Sequence, residues 1–328
     1  MSATEDEPTA ISYVLPLCAP IGADLTDLWL YLARLADQVD DLIVVDNSQP
    51  AAFAQHARDM PASARHYAPG STTANGKVAN VITGLRYARH EMVVIADDDV
   101  RWSPRALASA RVRLASSDIV RPQNYFEPVV WHACFDTART VLNRLLGGDW
   151  PGTLVVRRSA FERAGGEYRG DVLFENLQLV RTLKAVGARE DIALGLYVAR
   201  RPPTTAHFRG QQIRQAYDEF ARPLRLATSL AVAPAFLIGL GSTRRYLLLV
   251  ATLLVVVLGA LGRSVAGGRR FFPAASVWLT PPWLLWRSAC SWIALGVRVR
   301  GGVQYRDVRL RIAATIPRAA PRTGSARR

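Results

Sequence analysis

Met92-Val93-Val94-Ile95-Ala96-Asp97-Asp98-Asp99 is the stretch whose reading decides the fold. Five apolar residues read as a buried strand, and that strand runs straight into three carboxylates. Acids delivered to the carboxyl end of a buried strand stand at the rim of a sheet, where α/β proteins bind their ligands. Asp97 and Asp99 give the spacing D-x-D, two hard oxygen donors suited to a divalent cation that grips a diphosphate. The alternative is a solvated turn whose aspartate caps the helix starting near Ser103-Pro104.

Working outward, residues 11–16 read as a first strand, and apolar positions 25, 28, 32, 35 and 39 predict an amphipathic helix over 24–39. Leu42–Val45 is a second buried strand ending at Asp46-Asn47-Ser48, and a weak strand lies near Arg65–Tyr67. Val78, Val81, Ile82 and Leu85 mark a helix that leads back to the strand at 92–96. Strands alternating with helices through residue 121 predict a parallel sheet covered on both faces. Beyond it the pattern gives a helix over 131–146 with Trp131, Phe135, Ala138, Leu142 and Leu145 on one face. A Gly-rich loop, a strand at 153–156, a helix near 173–186 and a strand near 192–198 complete this part.

The formal net charge is +14, but its distribution is more informative than its size. From Leu224 to Arg328 there are sixteen Arg, no Lys and one acid, a net of +15, so the first 223 residues carry −1. A near-neutral α/β part joined to a basic, apolar tail argues against nucleic-acid binding and for an anionic membrane face. Residues 226–243 and 246–262 are uncharged and approach the ~20 residues that cross a bilayer. Residues 271–297 hold three prolines, Arg287 and four Trp, and read as an interfacial or re-entrant helix pair. The Arg-rich tail, residues 301–328, is expected in the cytoplasm, as is the sheet domain (11–223) behind a short disordered start (1–10). Three scattered cysteines fit a reducing compartment, and the acidic amino terminus is not the start of a secretory signal.

Four landmarks occur in order along the chain. They are Ile43-Val44-Val45-Asp46-Asn47-Ser48; Lys77-Val78-Ala79-Asn80; Asp97-Asp98-Asp99-Val100-Arg101 with Pro104; and Gly152-Thr153-Leu154-Val155-Val156-Arg157-Arg158, followed by Ala164-Gly165-Gly166 and Phe174-Glu175-Asn176. Together they resemble the inverting family 2 glycosyltransferases, which have the GT-A fold, and within them the ceramide-glucosyltransferase-like branch. The resemblance implies an α/β GT-A sheet domain with a carboxyl-terminal transmembrane or interfacial helical region. It also implies a bacterial multi-pass cell-membrane enzyme that moves a sugar from a nucleotide-diphospho-sugar to a lipid or lipid-linked acceptor.

The resemblance assigns roles residue by residue. Asp97 and Asp99 would hold Mg²⁺ or Mn²⁺, and Asp46, Lys77, Asp97, Asp98 and Gln211 would face the donor. Glu175, Asn176 and Arg214 occupy the catalytic positions, and Trp150 would offer an acceptor-side surface. Two departures stand out. The family has Glu-Asp where this chain has Glu175-Asn176, and an amide cannot take up a proton. Glu175, or the nearby Asp171, is the expected substitute for the missing base. Gln211-Gln212-Ile213-Arg214-Gln215 resembles the family's Q/R-x-x-R-W but places Gln215 where Trp is usual. A processive polysaccharide synthase and a catalytically impaired nucleotide-sugar-binding scaffold are the other readings.

Overall fold

The computed structural model describes residues 10–305 and 308–317. Ile11–Leu17 (β1), Asp41–Asp46 (β2), Ala64–Tyr67 (β3) and Met92–Ala96 (β4) form a parallel set in the order β3-β2-β1-β4. Their connections are Thr26–Leu35 (α1), Pro50–Asp59 (α2) and Gly76–Tyr87 (α3). Tyr13, Leu15, Leu17, Met92 and Val94 face one core, and Val14, Ile43, Val45, Val93 and Ile95 face another. This alternation explains the near-continuous apolar runs, because a strand buried on both faces has no polar side to show.

The parallel pairing expected through residue 121 holds for β1 to β4, and beyond β4 the sheet becomes mixed. Val100–Arg101 (β5) follows the aspartates directly, then come Pro104–Leu114 (α4), Ile119–Phe126 (β6), Trp131–Arg144 (α5) and Thr153–Arg157 (β7). Arg158–Arg163 (α6), Glu175–Ala185 (α7) and Glu190–Arg200 (β8) complete a mixed eight-stranded sheet, order β3-β2-β1-β4-β7-β6-β8-β5. β7 runs antiparallel to β4 with Thr153 opposite Ala96, so it enters from the rim that holds Asp97. That reversal brings Gly152 against the aspartates. Ser103, not an aspartate, caps α4: its hydroxyl accepts from the Ala106 amide at 3.2 Å.

α5 buries polar residues, Asp136, Thr140, Asn143 and Arg144, along with Ala133, Ala138 and Val141, whereas Trp131 is 63% exposed and Leu146, just beyond it, 70%. An outward apolar face is what a helix at a lipid surface shows. Arg144 ties it down, donating to the carbonyls of Gly262 (3.0 Å), Leu194 (3.1 Å) and Val265 (2.6 Å) and to the Tyr197 hydroxyl (2.8 Å).

Thr205–Tyr217 (α8) leads through a short 3-10 turn to Pro223–Gly241 (α9) and Tyr246–Ser264 (α10). These last two are long and apolar enough to cross a membrane, and α9 has no buried residue. Ala275–Trp278 (α11) and Thr280–Val299 (α12) follow. Pro234 removes the amide that would bond the Leu230 carbonyl, and Trp292 of α12 donates its indole N–H to that oxygen at 3.0 Å. α10 crosses α5 so closely that a Cβ on Gly262 would lie 1.8 Å from the Val141 carbonyl oxygen.

The basic tail is not all solvated. Val303–Tyr305 (β9) and Val308–Leu310 (β10) pair antiparallel, and Leu310 and Ala313 are buried against the start of α7. Leu173 and Phe174 donate their amides to Ile312 and Ala313 at 2.9 and 2.8 Å. The disordered start (1–10, of which only residue 10 is described) and residues 318–328 of the predicted tail lie outside the described residues.

Candidate active site

The carboxyl end of β4, the first residues of β7 and the amino end of α7 converge on one polar cleft of about 230 Å³. Lys77 enters from the first turn of α3, which Asn75 caps by accepting from the Lys77 amide at 3.1 Å. Its ammonium bridges Asp97 Oδ1 at 2.5 Å and Glu175 Oε1 at 2.6 Å. Burial works to lower the Lys77 pKa, but the two carboxylates prevail and hold it well above the usual lysine range. Gly152 is required here, since a Cβ would lie 2.7 Å from Asp97 Oδ2.

Arg200, at the end of β8, neutralises the other aspartate: its Nε donates to Asp99 Oδ2 at 2.8 Å, and its guanidinium is 3.9 Å from Asp97. Negative charge still predominates. Desolvation, then Asp99 and Asp97, push Asp98 at the rim up to about 6. Asp99 is also raised, by burial first and by Asp97, and its Oδ1 is buried with no hydrogen-bond partner. An orphaned carboxylate oxygen beside two further acids fits a divalent cation. Among the described residues no group of three or more His, Cys, Asp and Glu is assembled as a complete metal site. Asp97 and Asp99 would therefore need ligand oxygens to complete a coordination shell, as Mg²⁺ commonly does with substrate phosphates.

Trp150, Glu175, Asn176 and Gln211 all line this cleft. Trp150 meets Phe174 edge to face at 5.1 Å, and Arg121 stacks over its indole at 4.3 Å. Asn176 donates its amide N–H to the Pro151 carbonyl at 3.1 Å. Three expectations are corrected. Glu175 is committed to Lys77, so its carboxylate is not a free base. Asp171 lies at the surface, bound by the Arg169 guanidinium at 2.7 Å, and does not line the cleft. Asp46 is shut away: His56 Nδ1 at 2.7 Å, His66 Nε2 at 3.3 Å and the Ser48 amide at 2.8 Å surround its carboxylate. Burial opposes these contacts, but they win and bring its pKa to about 2. Asn47 and Ser48 instead border a cavity of about 420 Å³, closed on one side by Tyr305 and Val308.

Arg214 faces away from the aspartates into a neighbouring cavity with His207, its guanidinium 5.8 Å from the Tyr305 ring. Gln215, standing where Trp was expected, lines the polar cleft and accepts from Arg287 at 3.1 Å. Sequence reasoning missed Arg200 and the acids Asp218 and Glu219, which line the cleft with Arg222. The signal was present: Gln211, Gln215, Asp218 and Arg222 recur at i, i+4, i+7 and i+11, one helical face.

An apolar cavity of about 480 Å³ opens between α5, α9, α10 and α12. It shares Asn143, Glu219 and Arg287 with the polar cleft, so the two are neighbours with a common wall.

Residues 25–164 match the family model described as glycosyl transferase family 2. A molybdenum cofactor guanylyltransferase from Pseudomonas entomophila (strain L48) is 33% identical over 94 residues, which are 27% of this chain. The chain spans about half the length of that curated relative, 46%. Among solved structures, a mannosyltransferase from Pyrobaculum calidifontis in complex with GDP-Man and Mn²⁺ has a TM-score of 0.48 and 18% identity, covering 91% of this chain and 77% of that one. A glucosyl-3-phosphoglycerate synthase from Mycobacterium tuberculosis, in complex with Mn²⁺, UDP and glucosyl-3-phosphoglycerate, has a TM-score of 0.40 and 17% identity, covering 63% and 78%. The fold is of GT-A type, and the matched model supports a family 2 glycosyltransferase.

Proposed function

We propose that the chain is a membrane-anchored, metal-dependent glycosyltransferase that moves a sugar, with inversion, from a nucleotide-diphospho-sugar to a lipid or lipid-linked acceptor. One observation carries the acceptor class. The polar cleft at the strand ends lies next to the apolar cavity between helices long and apolar enough to cross a membrane, with Asn143, Glu219 and Arg287 on both linings. A lipid chain in that cavity brings its head group to the cleft without leaving the bilayer. The outward apolar side of α5 supports the same surface facing lipid.

The cavity bordered by Asn47 and Ser48 suits the nucleoside, at the carboxyl ends of the parallel strands. Asp97 and Asp99 would hold Mg²⁺ or Mn²⁺, which when bound neutralises charge on the departing diphosphate. Lys77 supplies a point charge beside that position, and Glu175 orients it. Arg200 holds the Asp99 carboxylate through its Nε at 2.8 Å. Gln211 and Gln215 offer neutral hydrogen-bonding groups toward sugar and acceptor hydroxyls, and Trp150 an apolar wall. Arg214, with His207, is assigned to the neighbouring cavity as a secondary anion contact. In the cell, two spans and a cytoplasmic sheet domain match the Arg-rich tail.

The test uses full-length protein in lipid nanodiscs with UDP-glucose or GDP-mannose, Mn²⁺ and a polar lipid extract. The expected result is release of nucleoside diphosphate that requires both metal and lipid and stops with chelator. Nucleotide binding without release from any donor would favour the scaffold reading. Pyrophosphate as product would favour nucleotidyl transfer, and continued elongation would favour a synthase.

A further inference from the structure

Inverting transfer requires a group that takes the acceptor's hydroxyl proton, and the cleft offers five acids for it: Asp97, Asp149, Glu175, Asp218 and Glu219. Four are already engaged. Lys77 holds Asp97 and Glu175. Asp149 accepts from Arg139 and Thr140 at 2.7 Å each and from Asn143 at 2.8 Å. Glu219 accepts from Arg222 at 3.0 Å and lies 3.3 Å from Arg225. Asp218 differs. It has no salt bridge among the described residues, and its Oδ1 is buried without a hydrogen-bond partner.

Its position is equally specific. Asp218 opens the 3-10 turn that continues α8, on the face that carries Gln211, Gln215 and Arg222 into the cleft. Glu175 of α7 stands across from it. We propose that Asp218 is the proton acceptor of the transfer reaction, replacing the carboxylate that Asn176 lacks. The proposal rests on the glycosyltransferase reading. The Asp218 carboxylate takes the hydroxyl proton while the hydroxyl oxygen's electron pair forms the bond to the anomeric carbon. The bond from that carbon to the diphosphate oxygen breaks, and its electron pair leaves with the nucleoside diphosphate.

The surroundings suit the task. Burial raises the Asp218 pKa most, and the charges of Glu175 and Glu219 add to it. Arg222, on the same turn, and Arg287 of α12 oppose the rise. A carboxylate whose pKa is raised by burial is a stronger base than one held by an arginine. Asn176 contributes by bonding Pro151, which fixes the loop beside Gly152 without adding a further negative charge.

The experiment follows nucleoside diphosphate release from UDP-glucose and GDP-mannose with Mn²⁺, using full-length wild type, Asp218→Asn and Asp218→Asn/Asn176→Asp. Calorimetry with UDP and GDP reports donor binding in each. Asp218→Asn is expected to lose turnover by on the order of 100-fold or more, with nucleotide affinity unchanged. Its remaining rate should rise steadily with pH, and Asn176→Asp in the same chain should restore at least about a tenth of wild-type turnover. An Asp218→Asn protein with near-wild-type turnover overturns the assignment. So does joint loss of turnover and nucleotide binding with no rescue by Asn176→Asp, which marks a structural role. A wild type that binds nucleotide yet releases nothing removes the glycosyltransferase reading, a result distinct from an active wild type with an active Asp218→Asn.

Discussion

Replacing Lys77 by Met tests whether the centre of the cleft is held by one ammonium between two acids. Lys77 lies 2.5 Å from Asp97 and 2.6 Å from Glu175, so its removal leaves two carboxylate oxygens no more than about 5 Å apart. At an effective dielectric constant near 20, two like charges at that distance repel by about 3 kcal/mol. The side chains are only 14–22% exposed, so water screens little of this, although protonation of one acid relieves it. Lys77→Met should therefore destabilise the protein by about 3 kcal/mol near pH 8 and by clearly less near pH 5. Chemical denaturation in detergent at the two pH values measures this. A Lys77→Met/Glu175→Gln double variant should recover much of the loss, because it removes one of the repelling charges. A loss below about 0.5 kcal/mol at pH 8, or an equal loss at both pH values, would refute the bridging role.

Three further outcomes follow from the geometry. Gly152→Ala puts a Cβ 2.7 Å from Asp97 Oδ2, so the carboxylate must shift off Lys77; about 1–3 kcal/mol of stability and much of the Mn²⁺-dependent nucleotide affinity should go. Wild-type affinity in that variant would contradict the close approach. Asp46 titrates at about 2 when folded, below its ordinary 3.8, so its stabilisation of about 2 kcal/mol is complete above about pH 4 and lost as pH falls toward 2. The stability gap between wild type and Asp46→Asn should close over that window, and a constant gap would count against it. Arg144→Met leaves the carbonyls of Gly262, Leu194 and Val265 without this donor and should cost about 3 kcal/mol or more, read as a lower melting temperature and earlier proteolysis between α10 and α11.

The parallel half of the sheet was legible because a strand buried on both faces must be largely apolar, and β1, β2 and β4 are, apart from Ser12 and the terminal Asp41 and Asp46. The D-x-D position was legible for the same reason: a buried strand ends where its acids begin. The surroundings of α5 were not legible: Trp131 is exposed at its start, and its polar residues are inside, satisfied by Asp149 and by Arg225 of α9. Periodicity reports which residues share a face but not which medium that face meets. β9 and β10 escaped notice because three-residue strands leave no periodic signal, and the segment after them bonds Leu173 and Phe174, more than a hundred residues away.

The sequence by itself determined the sheet-domain class, the basic and apolar character of the carboxyl-terminal third and the landmarks at Lys77, Asp97–Asp99 and Glu175-Asn176. These are local properties, written in composition and short spacing. Only the tertiary structure decided which carboxylates are free to react. Reactivity depends on partners distant in the chain: Lys77 takes Glu175 across 98 positions, the two histidines close over Asp46, and Arg169 holds Asp171 at the surface. Asp218, unremarkable in the sequence, has no salt bridge among the described residues, because Arg222 and Arg225 pair with Glu219 and Arg287 bonds Gln212 and Gln215.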